Sequence, residues 1–148
     1  MTEVRFYHLQ RTPLEKALPR LLVKALDGGM RAVVLAASEE RVEALSAALW
    51  TFEQASFLPH GTARDGNPDE QPIYLTTAEE NPNGAKLLVL IDGVEPAFLD
   101  RFERCADLFD GNDGQAVEAA RARWRRLQKG SHSLSYWRQN PQGWEEKG

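Results

Sequence analysis

The apolar positions of the chain alternate between two spacings, one typical of strands and one typical of helices. Short apolar or alternating runs predict strands at 4–9, 31–37, 73–77, 86–91 and 104–109. Apolar residues at three- and four-residue spacing predict helices over 14–26, 38–52 and 115–129, with a shorter helix at about 95–101. Residues 133–137 predict a last strand at the edge of the sheet. Strands that alternate with helices predict a three-layer, Rossmann-like α/β fold, in which helices flank a mainly parallel central sheet.

Turn and cap residues mark the ends of these elements. Thr12 at the N-cap, Pro13 at the first helical position and Glu15 at the third predict a capping box at the start of the first helix. The polar run 110–114 predicts a turn whose Asp or Asn caps the final helix. At 148 residues the chain fits one domain, 1–148, and residues from about 139 to 148 are expected to form a flexible tail.

The composition is that of a folded intracellular protein. The hydrophobic fraction of 42% and the charged fraction of 27% lie in the globular range. The single cysteine, Cys105, excludes an internal disulfide and suits a reducing compartment. The N-terminus has no basic segment followed by an apolar one, and no stretch approaches the length of a membrane span. We therefore expect a soluble, cytoplasmic protein.

The motifs of common active sites are missing from the sequence. No glycine-rich loop of the phosphate-binding or dinucleotide-binding type follows a strand. The run 110–114 lacks the ligand positions of a calcium loop, and His8, His60 and His132 lack metal-ligand spacing. Cys105 falls within a predicted strand, which favours a buried small side chain over a nucleophile. The sequence predicts no cofactor, no metal and no catalytic activity, although an unfamiliar enzyme stays open as an alternative.

Charge is distributed unevenly along the chain. The net charge is −4, yet the segment from residue 115 to the end holds seven Lys or Arg and three Glu. An acidic total argues against a general nucleic-acid binder, so we expect contact with DNA to be indirect. A basic end on an acidic body indicates a surface for an acidic partner.

The final helix carries this basic character together with a large aromatic residue. Arg121, Arg125 and Lys129 recur every four residues and share one side, with Trp124 beside them and Glu118 as the only acid that could neutralise them within the chain. One interpretation is a solvated basic face. The other is a site that grips an apolar side chain and carboxylates together.

A second cluster of large side chains lies between the second helix and the loop that follows it. It contains Trp50, Phe57, Pro59 and His60. These side chains could pack beneath the sheet as core. Alternatively, they form the anchors of a protein–protein interface, because large aromatic residues dominate such sites.

Four segments give the sequence a family resemblance. They are Ala48-Leu49-Trp50, the run S-F-L-P-H at 56–60, the run D-L-F-D-G-N-D at 107–113, and A-R-A-R-W-R at 120–125. In this order and at this chain length, the sequence resembles the chi subunit of bacterial DNA polymerase III holoenzyme over essentially its whole length. The resemblance implies a Rossmann-like fold and a non-catalytic accessory role in DNA replication.

The resemblance also implies two binding surfaces. One would take the acidic C-terminal tail of single-stranded-DNA-binding protein on Phe109, Arg121, Trp124 and Arg125. The other would face the psi subunit of the clamp-loader complex through Trp50 and Phe57, continued by Pro59 and His60. Two alternatives stay open: an adaptor for a DNA-repair helicase on the Trp50/Phe57 surface, and a module that binds single-stranded nucleic acid directly through the basic helix.

Overall fold

The computed structural model describes residues 2–51, 60–130, 132–141 and 143–146. For residues 50, 51 and 63 it describes the backbone alone. The helices of this part are α1 (Leu14–Asp27), α2 (Glu39–Thr51) and α3 (Gly114–Gln128). Its strands are β1 (Glu3–Leu9), β2 (Ala32–Leu35), β3 (Gly61–Thr62), β4 (Ile73–Thr76), β5 (Leu87–Leu90), β6 (Arg104–Asp110), β7 (Ser133–Asn140) and β8 (Gly143–Glu146). They form one sheet in the order β3-β4-β2-β5-β6-β1-β7-β8.

The sheet is parallel except at one edge. Strands β1 to β7 pair in parallel, and β8 pairs antiparallel with β7. All four residues of β2 and all four of β5 are buried, as expected for central parallel strands covered on both faces. The predicted three-layer α/β fold with a mainly parallel sheet is confirmed.

The helices cover the two faces of the sheet unequally. Leu18 and Leu22 of α1 and Leu45 of α2 pack in the apolar cluster on one face. On the other face α3 contributes Ala120 and Trp124 to a second cluster. The side chains of β1 alternate between these faces, since successive strand residues point to opposite sides of a sheet.

The start of α1 differs from the prediction. Pro13, not Thr12, is the N-cap, and it makes no side-chain capping bond. The Thr12 hydroxyl instead accepts a hydrogen bond from Gln139 Nε2 at 2.7 Å. Gln139 Oε1 in turn accepts the backbone N–H groups of residues 10–12 at 2.8–3.1 Å. The predicted capping box was wrong because a residue of β7 occupies the groups that would have formed it.

Two further predictions are corrected. The helix predicted at 95–101 is only a short 3₁₀ turn at Leu99–Arg101. Residues 139–148, expected to be a flexible tail, provide the end of β7 and strand β8 in their described part. The strand predicted at 133–137 is therefore an inner strand, and β8 forms the edge of the sheet.

Candidate functional site

Helix α3 begins at a polar turn and packs on the face of the sheet opposite α1 and α2. The Asp113 side chain accepts hydrogen bonds from the N–H groups of Gln115 at 3.0 Å and Ala116 at 3.4 Å, which confirms the predicted cap. Arg121 and Arg125 are exposed, while Trp124 is half-buried. The helix thus holds Trp124 against the sheet and keeps both arginines in solvent.

Four aromatic side chains meet beneath α3. The Trp124 ring lies 5.4 Å from Phe6 and 6.0 Å from Tyr136, both edge to face. Phe109 lies 6.0 Å from the same Tyr136 ring. The structure therefore joins Phe109 and Trp124, two of the residues assigned to the tail-binding surface, through Tyr136. Because Phe109 is only 5% exposed, it forms the floor of this cluster and not a wall.

His8 extends the cluster towards the start of α3. Its Nδ1 is hydrogen-bonded to Tyr136 Oη at 2.5 Å, and its ring lies 5.2 Å from that of Phe109. Burial, followed by the nearby charge of Arg138, lowers the pKa of His8, so the imidazole is neutral at pH 7. Burial raises the pKa of Tyr136, although the cations Arg138 and Arg121 oppose that shift. The site is thus a polar aromatic cluster held next to two guanidinium groups.

The sequence analysis missed Tyr136 and Arg138 as residues of this site. Arg138 pairs with His8 in the register of β1 and β7, two residues beyond the pairing of Phe6 with Tyr136. Its Nε is buried and has no hydrogen-bond partner among the described residues. Because Tyr136 and Arg138 are two residues apart in a predicted strand, the sequence indicates that they share one face of it. That this face is the one covered by α3 follows only when β7 is known to lie beside β1.

Other arginines of α3 are neutralised within the chain. Arg123 is buried and donates two hydrogen bonds to the Asp107 carboxylate, at 2.7 and 2.9 Å. Arg126 pairs with Glu95. Asp107 and Glu95 thus neutralise two arginines that lie outside the row of Arg121, Arg125 and Lys129. Glu118 itself lies 3.3 Å from Arg121 in an exposed pair.

The second predicted surface is only partly visible. The side chain of Trp50 and the whole of Phe57 and Pro59 lie outside the described residues. His60 is described, and it is 7% exposed with its Nε2 3.3 Å from Ser46 Oγ. A side chain buried to this degree supports a neighbouring surface by packing and offers little area for contact.

Other chemical groups add no second site. Cys105 is buried, and burial raises the pKa of its thiol well above the ordinary value, as for an inert core cysteine. Across the described ranges, His, Cys, Asp and Glu side chains do not gather in groups of three that could hold a metal ion. In the same ranges we found no helix with the length and apolar character needed to cross a bilayer.

Comparison with solved structures supports the fold. The C-terminal domain of Dbp5 from S. cerevisiae, solved bound to Gle1 and IP6, superposes with a TM-score of 0.56 over 92% of this chain and 90% of that one. The two sequences are 12% identical. The likeness therefore concerns the arrangement of strands and helices alone.

Comparison with protein sequences identifies the family. A probable DNA polymerase III subunit chi from Rickettsia prowazekii is 35% identical over 97 residues, which cover 66% of this chain and 59% of the relative. The DNA polymerase III subunit chi of Pseudomonas aeruginosa is 32% identical over 111 residues, 73% of this chain and 77% of the relative. The family described as DNA polymerase III chi subunit, HolC, matches residues 1–135. The chain therefore belongs to the DNA polymerase III chi subunit family.

Proposed function

We propose that the chain is a non-catalytic accessory subunit of the DNA polymerase III holoenzyme that acts in DNA replication. In this role it links the clamp-loader complex, through the psi subunit, to the acidic C-terminal tail of single-stranded-DNA-binding protein. Family membership supports the role. One observation carries the tail-binding surface: the Tyr136 ring lies 6.0 Å from both Trp124 and Phe109, with the charges of Arg121 and Arg138 close by.

The chemistry of the tail suits this surface. A chain end with an apolar side chain and a free carboxylate needs an apolar contact and a cation at one place. Trp124 and Tyr136 supply the apolar contact, and Arg121 and Arg138 are the cations closest to it. Arg125 directly follows Trp124 in α3 and is exposed. It is therefore suited to bind the acidic residues that precede the end of the tail.

The link to psi is assigned to the surface around Trp50 and Phe57. His60, which the same proposal includes, is buried, and its Nε2 lies 3.3 Å from Ser46 Oγ of α2. The two surfaces belong to different elements: one to α3 and β7, the other to the end of α2 and the residues after it. That separation allows one chain to hold two partners at once.

Binding of a fluorescein-labelled acidic peptide ending in Asp-Phe-Pro-Phe, followed by fluorescence anisotropy, tests the tail surface. Arg125→Ala and Arg138→Ala should each weaken binding about tenfold, or about 1.4 kcal/mol. The affinity of wild type should fall with salt, because part of the attraction acts over several ångströms of solvent. Lys16→Ala is the matched control: it removes one exposed positive charge from α1, and its affinity should stay within about twofold of wild type.

Two results would contradict the assignment. A folded wild-type chain that fails to bind the peptide at about 50 mM salt would remove the tail surface from the proposal. Equal weakening by Arg125→Ala and Lys16→Ala would show that the peptide senses only the overall charge. Circular dichroism of each variant establishes that the chain is folded.

A further inference from the structure

A groove of about 880 Å³ runs along the face of the sheet opposite α3. Its floor is formed by the residues of β1 that point away from α3, and α1 forms one wall. Strands β7 and β8 form the other side with Trp137 and Trp144. The β1 residues on its floor, Glu3, Arg5 and Tyr7, extend over about 13 Å of the strand. It shares no aromatic residue with the tail-binding surface.

Three aromatic side chains line this groove on neighbouring strands. Tyr7 and Trp137 are register partners of β1 and β7. The Trp144 ring lies 5.1 Å from Tyr7, edge to face. All three are half-buried, so each is held in place and keeps part of its ring in solvent. Aromatic residues on adjacent strands of an open sheet face are a platform on which unpaired bases stack.

The charges around the groove are mostly positive. Five lining residues are Lys or Arg and two are Glu. Glu3 pairs with Arg5 and Arg104 at 2.9 and 3.2 Å, and Glu103 lies 3.6 Å from Lys86. The Arg5 guanidinium also lies over the Trp137 ring, 5.7 Å from its centroid. The acidic residues of the groove are thus already neutralised by their neighbours.

Two cations on the wall of α1 have no ion-pair partner in the described part of the chain. Arg20 and Lys24 are four residues apart, so they lie one helical turn from each other on the side that lines the groove. That spacing is comparable to the distance between successive phosphates of an extended strand. Exposed unpaired cations beside an aromatic platform are the arrangement that binds single-stranded nucleic acid without sequence preference.

We propose that the groove between α1 and β7–β8 binds single-stranded nucleic acid, with bases on Trp137 and Trp144 and phosphates on Arg20 and Lys24. Phosphates fit the two unpaired cations, and flat bases fit the half-exposed rings. The net charge of −4 keeps this binding weak and strongly salt-dependent. The contact lies on the face opposite the basic helix, so it does not depend on the tail-binding surface.

Fluorescence anisotropy of a labelled oligothymidylate of about 12 nucleotides, at about 50 mM salt, tests the groove. Lys24→Glu should weaken binding about fivefold or more and make the slope of log K against log salt shallower by about 0.7, the value of one phosphate contact on a single strand. Lys129→Glu makes the same charge change at an exposed residue at the end of α3, on the other face of the sheet, and it should alter affinity by less than about twofold with an unchanged slope. Arg125→Ala should bind the oligonucleotide like wild type.

Substitutions of Trp144 test the role of the aromatic residues that line the groove. Trp144→Leu should weaken binding about fivefold or more, whereas Trp144→Phe should keep most of the affinity because it preserves a stacking face. Comparing the affinity for oligouridylate of the same length with that for oligothymidylate shows whether the groove binds RNA or DNA more tightly. Circular dichroism and thermal melts show whether each variant keeps the wild-type fold.

Three results would overturn the inference. The first is a folded wild-type chain that binds neither oligonucleotide at about 50 mM salt. The second is equal weakening by Lys24→Glu and Lys129→Glu, which would show that the oligonucleotide responds to the overall charge and not to the groove. The third is an acidic peptide that binds in a Lys24-dependent manner while the oligonucleotides do not, which would make the groove a peptide site.

Discussion

Gly111 lies in the turn before α3, and because it has no side chain this turn can approach β1 closely. The Gly111 N–H donates to the Leu9 carbonyl at 2.6 Å. A Cβ at this position would lie 2.0 Å from His8 Cδ2 and 2.6 Å from the Leu9 oxygen. The ring belongs to a buried cluster and the oxygen to the backbone of a central strand, so neither can move freely. We predict that Gly111→Ala lowers the free energy of unfolding by about 1–3 kcal/mol, measured by urea denaturation.

Gly114→Ala is the matched control for that change. Gly114 is the first residue of α3, and a Cβ there would meet nothing within 4 Å. Alanine in a helix also loses less backbone entropy on folding than glycine. The control should leave stability unchanged or raise it by up to about 1 kcal/mol. If Gly111→Ala were as stable as Gly114→Ala, the close packing of His8 against the turn would be wrong.

Single residues also show what the sequence could and could not reveal about the tail-binding surface. Arg121 and Trp124 were predictable because they share a strongly periodic helix. Tyr136 and Arg138 were not, because a strand's side chains face α3 only once the strand order is known. The role of residue 111 depends equally on how closely its turn approaches the end of β1, which is about a hundred residues away in the chain. Helical periodicity is local information, whereas sheet neighbours are not.

At the scale of elements, a buried ion pair fastens α3 to β6. Arg123 and Asp107 have side chains that are only 4% and 3% exposed, and two hydrogen bonds join them. Burial raises the pKa of Asp107, although the guanidinium opposes this shift. We predict that Asp107→Asn costs about 3–5 kcal/mol of stability, because it leaves the Arg123 charge buried beside a neutral amide.

The double variant Asp107→Leu with Arg123→Met separates the loss of the pair from the loss of one partner. It replaces both charges with apolar groups of similar size, so most of the lost stability should return. Urea denaturation midpoints at an unchanged m-value measure both variants. A double variant as unstable as Asp107→Asn would mean that the geometry of the pair, and not an uncompensated charge, holds α3 in place.

Element boundaries were predictable where the determinants were local. The strands of the central sheet and helix α3 followed from apolar runs and from the Asp113 cap. The start of α1 did not, because Gln139 occupies Thr12 and the backbone N–H groups next to it. The same residue joins β7 to the residues that follow β1. Its amide clamps the loop between β1 and α1, and no local pattern in the last ten residues indicates that contact.

At the scale of the whole molecule, β1 separates the two proposed binding surfaces. Phe6 and His8 face the tail-binding surface, while Arg5 and Tyr7 face the groove. The cations of α3 and those of α1 are therefore on opposite sides of the sheet, each about one packed layer away from it, or about 20 Å apart in all. At physiological ionic strength electrostatic attraction is screened within about 8 Å. An acidic chain can in this way present two basic surfaces that do not compete.

We therefore predict that the two ligands bind independently. Saturating the chain with the acidic peptide should change its affinity for the oligonucleotide by less than about twofold at about 150 mM salt, because neither ligand reaches the other's cations. Titration of labelled oligonucleotide with and without unlabelled peptide measures this coupling, and the reverse titration must give the same factor. Competition of about tenfold or more would place both ligands on one surface. In that case one of the two assignments fails: that of the tail to α3 if Lys24→Glu abolishes binding of both ligands, and that of the oligonucleotide to the groove if Arg125→Ala does so.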